Sequence, residues 1–169
     1  MRFCRLSRIT LYLLCLLRKS VHVYLRQRQQ MPVASGEPDV FVSAWGAPNA
    51  SLLGDVDVFP YASVWYNSVL RGDLIKIQVG AYSNVQDNCV LHAARTSPTG
   101  LTAATLRGTF VTVFPGSVIR ASFLKDECVV GAGCVLMEGS MVEEHAILAD
   151  GSVLPPGRRI PSGAGPEEL

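Results

Sequence analysis

Three histidines and five cysteines are the side chains of this sequence that could bind a transition metal or act as a base or nucleophile. The cysteines form no Cys-x-x-Cys pair, which argues against a zinc ribbon or a disulfide framework and indicates a reducing compartment. His22 lies in a basic N-terminal segment, and His145 follows two glutamates in a motif typical of a solvated turn. The role of His92 therefore depends on what the fold places beside it.

A period of six residues runs through 124–154. The aliphatic residues that keep this period are Leu124, Val130, Leu136, Val142, Leu148 and Leu154. A helix would scatter them over three faces. A straight strand of this length would span roughly 100 Å, far beyond ordinary strands. The pattern therefore needs a chain that turns a corner every six residues.

The consistent solution is an all-β solenoid, a left-handed parallel β-helix of hexapeptide repeats. Each short strand sends one aliphatic side chain inward, and small residues such as Cys128 and Cys134 occupy the corners. The ladder extends back to Leu52, with slips where we expect corners to bulge or loops to leave the coil. A sandwich of short strands with chance spacing is the alternative.

Composition indicates one domain with an ample core, because 49% of the 169 residues are hydrophobic and 17% are charged. The charge is divided along the chain. Residues 1–36 carry seven basic residues and no acid, whereas 37–169 hold 8 basic and 14 acidic residues. A formal charge of −6 on the second part argues against a nucleic-acid-binding solenoid.

Residues 1–30 are predicted to form a basic amphipathic α-helix. Its apolar run Ile9–Leu17 is too short to cross a bilayer, and its arginines resemble a mitochondrial targeting sequence. We expect a retained helix on a membrane surface or on partner subunits; a helix that caps the open end of the solenoid is the alternative. An extended linker over 31–50, the β-helix over 51–163 and a tail over 164–169 follow, with no long C-terminal helix.

Several short motifs stand on the repeat between residues 65 and 94. They are Trp65-Tyr66, Leu70-Arg71-Gly72-Asp73, Asn84-x-Gln86-Asp87 and Leu91-His92-x-Ala94. This combination resembles the γ-class carbonic anhydrases, and the resemblance covers about residues 50–163. Within that family, the chain looks most similar to the γ-carbonic-anhydrase-like subunits of mitochondrial respiratory complex I.

The resemblance implies a zinc site between the subunits of a trimer, held by three histidines. His92 matches the first ligand, whereas Pro115 and Arg120 stand where the other two are needed. Proline has no ligating side chain, and a guanidinium is always cationic. The resemblance therefore implies a chain without catalytic or metal-binding residues. Zinc would then be possible only at the interface between the other two subunits of a heterotrimer.

The resemblance also implies a subunit interface. Arg71, Asp73 and Asp87 match residues of an arginine–carboxylate network that crosses it. Gln86 matches a glutamine that orients solvent near zinc, and without the metal it is expected to serve as a structural hydrogen-bonding group. His92 is expected to remain as a wall residue of the same interface.

The partners that the resemblance implies are two other γ-carbonic-anhydrase-like subunits, the membrane-arm subunits of complex I, and a membrane surface that residues 1–30 contact. Nucleic acid is not among them. The expected location is the matrix side of the mitochondrial inner membrane. Two alternatives remain: an active zinc carbonic anhydrase, and a hexapeptide acyltransferase, which needs a catalytic histidine at a subunit cleft and a groove for coenzyme A.

Overall fold

The structure is a computed structural model, and it describes residues 29–33, 36–94 and 108–165. Within these residues no helix is long and apolar enough to cross a bilayer. The helix predicted for residues 1–30 falls almost wholly outside them, and Gln30 belongs to a strand. The strands are β1 (Gln30–Met31), β2 (Asp39–Val40), β3 (Trp45–Gly46), β4 (Ser51–Val58), β5 (Ser63–Val64), β6 (Val69–Val79), β7 (Asn84–Val85), β8 (Val90–His92), β9 (Thr112–Val113), β10 (Val118–Arg120), β11 (Phe123–Leu124), β12 (Val129–Val130), β13 (Val135–Leu136), β14 (Met141–Val142), β15 (Ile147–Leu148), β16 (Val153–Leu154) and β17 (Arg159–Ile160).

The strands pair in parallel and form three sheets, which we call faces 1, 2 and 3. Face 1 has the order β1-β4-β6-β8-β10-β13-β16, with β2 also beside β4. Face 2 has the order β15-β12-β9-β7-β5-β3, and face 3 the order β11-β14-β17. Neighbouring strands come from successive coils, so the chain winds as a solenoid. The predicted parallel β-helix is confirmed.

The aliphatic ladder forms the core of the solenoid. On face 1, Leu70 lies opposite Leu91, Leu91 opposite Ile119, and Ile119 opposite Leu136 in register. All four side chains are fully buried. Burial of each contributes roughly 1.5–3 kcal/mol relative to exposure. The six-residue period therefore marks the positions that point inward, as the sequence predicted.

Small residues at the corners let successive coils approach closely. The buried Ser68 hydroxyl donates to the carbonyl of Gln86 at 2.6 Å, and the buried Ser117 hydroxyl donates to the carbonyl of Gly131 at 2.8 Å. A buried hydroxyl without a partner would cost about 1–3 kcal/mol. These serines therefore fill the corner and also tie one coil to the next.

The first slip in the ladder comes from an insertion in β6. Gly54 lies opposite Gly72, but further along the same two strands Val56 lies opposite Ile77, so the register shifts between Gly54 and Val56. A Cβ on Gly72 would lie 2.3 Å from the carbonyl oxygen of Asp55. The extra residues of β6 interrupt the six-residue spacing without breaking the sheet, as a bulge does.

The predicted linker 31–50 differs from the structure. Both β2 and β3 lie within it; β2 pairs with β4 and β3 pairs with β5, so the first coil begins before residue 51. The Trp45 ring packs edge-on against Trp65 with centroids 5.2 Å apart. Strands of two residues have no period to detect, and the prolines and glycines around them favour a loop assignment.

The buried cysteines give a first prediction. Cys128 donates through Sγ to the carbonyl of Glu143, and burial raises the pKa of its thiol to about 11. Burial also raises the pKa of Cys89 and Cys134. Because the thiolate is the reactive form, Ellman's reagent is expected to modify Cys128 about 100-fold more slowly in the native chain than in denaturant, the factor that two pKa units imply. Rapid modification of native Cys128 would contradict this buried position.

Candidate functional site

Arg71, His92 and Arg120 form a row across three neighbouring strands of face 1. In the pairing of β6, β8 and β10, Arg71 lies opposite His92 and His92 lies opposite Arg120. Paired strands are about 4.8 Å apart. The imidazole therefore stands between two strands that each carry a guanidinium group. We call these three residues the arginine–histidine row.

Each guanidinium of the row is paired with a carboxylate of the same chain. Arg71 Nη2 lies 2.7 Å from Asp73 Oδ2, and Arg71 Nε donates to the same oxygen at 2.9 Å. Arg120 Nη2 lies 2.8 Å from Glu138 Oε1. Both arginine side chains are about half exposed, so each pair contributes at most about 1 kcal/mol. Each guanidinium has five N–H donors and so keeps donors for further partners.

Two buried polar atoms at the site have no hydrogen-bond partner among the described residues. They are Nδ1 of His92 and Oδ1 of Asp73. A buried polar atom without a partner costs about 1–3 kcal/mol. Oδ1 of Asp73 can therefore accept a hydrogen bond from a group outside the described part of the chain, and Nδ1 of His92 can accept or donate one according to its tautomer.

The predicted interface residues do not all converge. Arg71 and Asp73 pair with each other within one chain. Asp87 lies at another corner, where its Oδ1 accepts a hydrogen bond from the backbone N–H of Tyr66 at 3.0 Å. The neighbouring Gln86 is half-buried, and its carbonyl accepts the Ser68 hydroxyl. A role for these residues across a subunit interface remains a prediction.

Substitutions of Asp87 test that interface role. Asp87→Asn keeps an oxygen for the Tyr66 N–H and removes the charge, whereas Asp87→Ala removes both. Loss of one member of a buried ion pair typically costs about 3–5 kcal/mol. We expect Asp87→Asn to weaken assembly at least about tenfold and to leave the melting temperature nearly unchanged. Native mass and thermal unfolding measure the two effects. An unchanged native mass for Asp87→Asn would remove Asp87 from the interface.

Pro115 lies at a different corner from the row. It occupies the turn between β9 and β10, and its carbonyl accepts the N–H of Gly133 at 2.9 Å. Arg120 ends β10 and lies opposite His92 on face 1, whereas Pro115 lies in the turn before that strand. Within one chain, Pro115 is therefore not part of the row that His92 and Arg120 form.

The side chains of the row do not suit a zinc ion. Zinc in proteins takes three or four nitrogen, sulfur or oxygen ligands, and the row supplies one imidazole between two permanent cations. Nowhere in 29–33, 36–94 or 108–165 do three His, Cys, Asp or Glu side chains lie close enough to hold a metal ion. The residues of this chain alone therefore do not fit the metal that the sequence resemblance implies for the family.

Glu138, the partner of Arg120, was not among the predicted site residues, although opposite charges one coil apart in a solenoid indicate such a pair. The prediction for His145 is confirmed: it is an exposed turn residue, and its Nδ1 lies 3.0 Å from Glu127 Oε2.

Comparison with known proteins indicates the family to which this chain is related. No family model matches the chain. The protein named gamma carbonic anhydrase-like 1, mitochondrial, of Arabidopsis thaliana is 54% identical over 104 residues, which are 62% of this chain and 41% of that protein. Gamma carbonic anhydrase 2, mitochondrial, of the same plant is 42% identical over 138 residues, 82% of this chain and 50% of that protein. The chain spans half or less of the length of these relatives.

A solved structure supports the same solenoid. The hexapeptide transferase family protein from Anaplasma phagocytophilum superposes with a TM-score of 0.74 at 37% identity, over 82% of this chain and 79% of that one. The solenoid hosts many functions, so the fold alone assigns no chemistry. The curated relatives and the motifs around the arginine–histidine row are more specific. The chain belongs to the γ-carbonic-anhydrase-like family of hexapeptide-repeat proteins.

Proposed function

We propose that this chain is a non-catalytic subunit of mitochondrial complex I, part of a γ-carbonic-anhydrase-like heterotrimer on the matrix side of the membrane arm. The observation that carries the proposal is the arginine–histidine row. Arg120 lies directly opposite His92, where a second imidazole would be needed to share a metal ion. A guanidinium there supplies positive charge in place of a ligand.

The row limits the zinc sites that a trimer could keep. An active γ-carbonic anhydrase needs three histidine ligands, two from one subunit and one from its neighbour, so that zinc can lower the pKa of its water to about 7. At one interface this chain offers His92 with Arg120, and at the other it offers Pro115. Each interface then lacks a ligand. A heterotrimer with one copy of this chain keeps one complete site at most, between the other two subunits.

The location proposed is the mitochondrial inner membrane. The Arabidopsis relatives are named as mitochondrial proteins. Residues 1–36 hold seven basic residues and no acid, a composition found in mitochondrial targeting sequences and in segments that lie on anionic membrane surfaces. Residues 1–30 would bring the solenoid to that surface, beside the membrane-arm subunits.

An active zinc carbonic anhydrase is the second candidate, because one relative at 42% identity carries the name gamma carbonic anhydrase 2. Under that hypothesis residues other than Pro115 and Arg120 must supply ligands. The zinc content of the purified chain, measured by mass spectrometry after a chelator wash, distinguishes the active enzyme from the non-catalytic subunit. One zinc per chain supports the enzyme, and a metal-free chain supports the non-catalytic subunit.

The first experiment is recovery of a tagged full-length copy from mitochondrial membranes in mild detergent. We expect it in a very large membrane complex, together with two relatives that keep all three histidines. The same tag on an unrelated matrix protein controls for carry-over. Recovery as a soluble homotrimer would contradict the proposal, since no partner subunit would then be present.

A further inference from the structure

The corner at which the chain enters face 2 carries a stack of exposed aromatic rings. Tyr61, Tyr82 and Phe110 come from successive coils; both pairs of neighbouring rings have centroids 5.0 Å apart, with interplanar angles of 14° and 6°. The three residues are 62%, 53% and 54% exposed. Phe41 stacks on Phe59 at 5.8 Å at the start of the same corner. We call these five residues the aromatic corner.

The backbone at these positions makes the choice of residue unusual. Tyr61, Tyr82 and Phe110 have φ of 60°, 57° and 56°, the left-handed region that bulky residues rarely adopt. At another corner of the same coils, the left-handed positions are Asn67 and Asn88, which tolerate it well. A large ring that is strained and more than half exposed gains little from burial. Glu127 and His145 at the equivalent position of later coils are also left-handed, with φ of 57° and 59°, so the corner fixes the backbone and the unusual feature is the presence of rings there.

The same corner becomes acidic in the later coils. Backbone hydrogen bonds continue the corner, since the Glu127 N–H donates to Thr109 and the His145 N–H donates to Asp126. We call the following four residues the acidic corner: Asp126, Glu127, Glu143 and Glu144. Hydrogen bonds from Thr109 lower the pKa of Asp126, and the hydrogen bond from Arg159 lowers the pKa of Glu143. Lys125 and Arg159 are the permanent cations that pair with these residues, and His145 lies beside Glu127. Four carboxylates against two permanent cations leave the acidic corner with a net negative charge.

We propose that the aromatic corner and the acidic corner together form a docking surface for a segment of a partner protein in which aliphatic side chains stand beside lysine or arginine. The exposed rings offer apolar area for the aliphatic side chains. The carboxylates select cations and disfavour an anionic lipid surface. Six stacked corners span about 24 Å at the strand spacing, the length of a helix of about 16 residues. The proposal rests on the described residues and does not depend on the role proposed for the arginine–histidine row.

Photo-cross-linking identifies the occupant. The probe is p-benzoyl-L-phenylalanine in place of Tyr82 in the full-length chain, illuminated in the intact cells that produce it. We expect one cross-linked peptide from another polypeptide, with lysine or arginine next to aliphatic residues. The same probe in place of the exposed Val153 on face 1 is the control. A lipid product, a peptide without basic residues, a cross-link to residues 1–28 of the same chain, or no product would overturn the proposal.

Matched variants separate docking from stability. The probe is moved to position 61, in place of Tyr61, and either Tyr82→Asn or Phe110→Asn is added. Each substitution removes a ring, and asparagine suits the left-handed backbone at these positions. We expect each to reduce the cross-link at least tenfold and to leave the melting temperature unchanged. Glu144→Lys is expected to reduce it similarly, and Glu37→Lys, at an exposed position outside the corner, is the charge control. A lower melting temperature with an undiminished cross-link would make the stack a stabilising feature only and overturn the proposal.

Discussion

The Gly80→Ala variant is expected to lower the free energy of unfolding by about 3 kcal/mol, a fall in melting temperature of roughly 6–12 °C for a chain of this size. A Cβ on Gly80 would lie 1.8 Å from the carbonyl oxygen of Gly108 in the next coil. No rotamer can relieve a clash between Cβ and backbone, so the two coils must separate. Thermal and urea unfolding of the purified chain measure the change.

Gly46→Ala is the matched control for this variant. A Cβ on Gly46 meets no atom within 4 Å, and β3 ends at this residue. Alanine also restricts the unfolded chain, so the control is expected to raise stability by about 0.5 kcal/mol. The two substitutions add the same methyl group and should move the melting temperature in opposite directions. If Gly80→Ala were as stable as the parent chain, the coils would have to lie further apart at this corner than the structure has them.

The solenoid could be predicted from the sequence because its period is visible along the chain. Leu91, Ile119 and Leu136 stack in register, and each belongs to a run of aliphatic residues that keeps the spacing of six. The burial of apolar side chains dominates folding. In a regular coil the buried side chains recur at a fixed interval in the sequence, so the spacing of the aliphatic residues was enough to locate the core.

The aromatic corner could not be predicted in the same way. Tyr61 and Tyr82 are separated by the longer coil that includes β6, and Phe110 follows residues 95–107, which the structure does not describe. The interval between rings is therefore irregular in sequence although their spacing in the structure is regular. The ring stack depends on backbone pairing between coils, and hydrophobic periodicity does not report that pairing for exposed residues.

The arginine–histidine row could be predicted only in part. The resemblance predicted that His92 and Arg120 belong to one site, and the register of β8 and β10 places them opposite each other. It did not predict that Arg120 would pair with Glu138 of its own chain. A carboxylate one coil away balances the charge of the guanidinium. The arginine can therefore occupy the position next to an imidazole without leaving an unpaired cation on face 1.

The double variant Pro115→His, Arg120→His is expected to bind zinc, whereas the parent chain is expected to bind none. Arg120 lies opposite His92 on the adjacent strand. A histidine there would bring two imidazoles within about 5 Å at the backbone, which allows both to reach one ion at Zn–N distances of about 2.0–2.1 Å. Because Pro115 lies at another corner, its replacement would supply the third imidazole to a neighbouring subunit. The expected content is about one zinc per chain in a homotrimer, measured by mass spectrometry of the chelator-washed protein together with its native mass.

Single variants show whether the three positions act together. Arg120→His alone offers two imidazoles on one chain, and Pro115→His alone adds one imidazole opposite an unchanged Arg120 of the neighbour. Both are expected to lose zinc in the chelator wash, since structural and catalytic zinc sites hold at least three protein ligands. Stoichiometric zinc in the parent chain would mean that other residues bind the metal, and the non-catalytic assignment would fail. A folded, trimeric double variant without zinc would show that Pro115 of one subunit does not face the arginine–histidine row of its neighbour, and the proposed arrangement of subunits would have to be replaced.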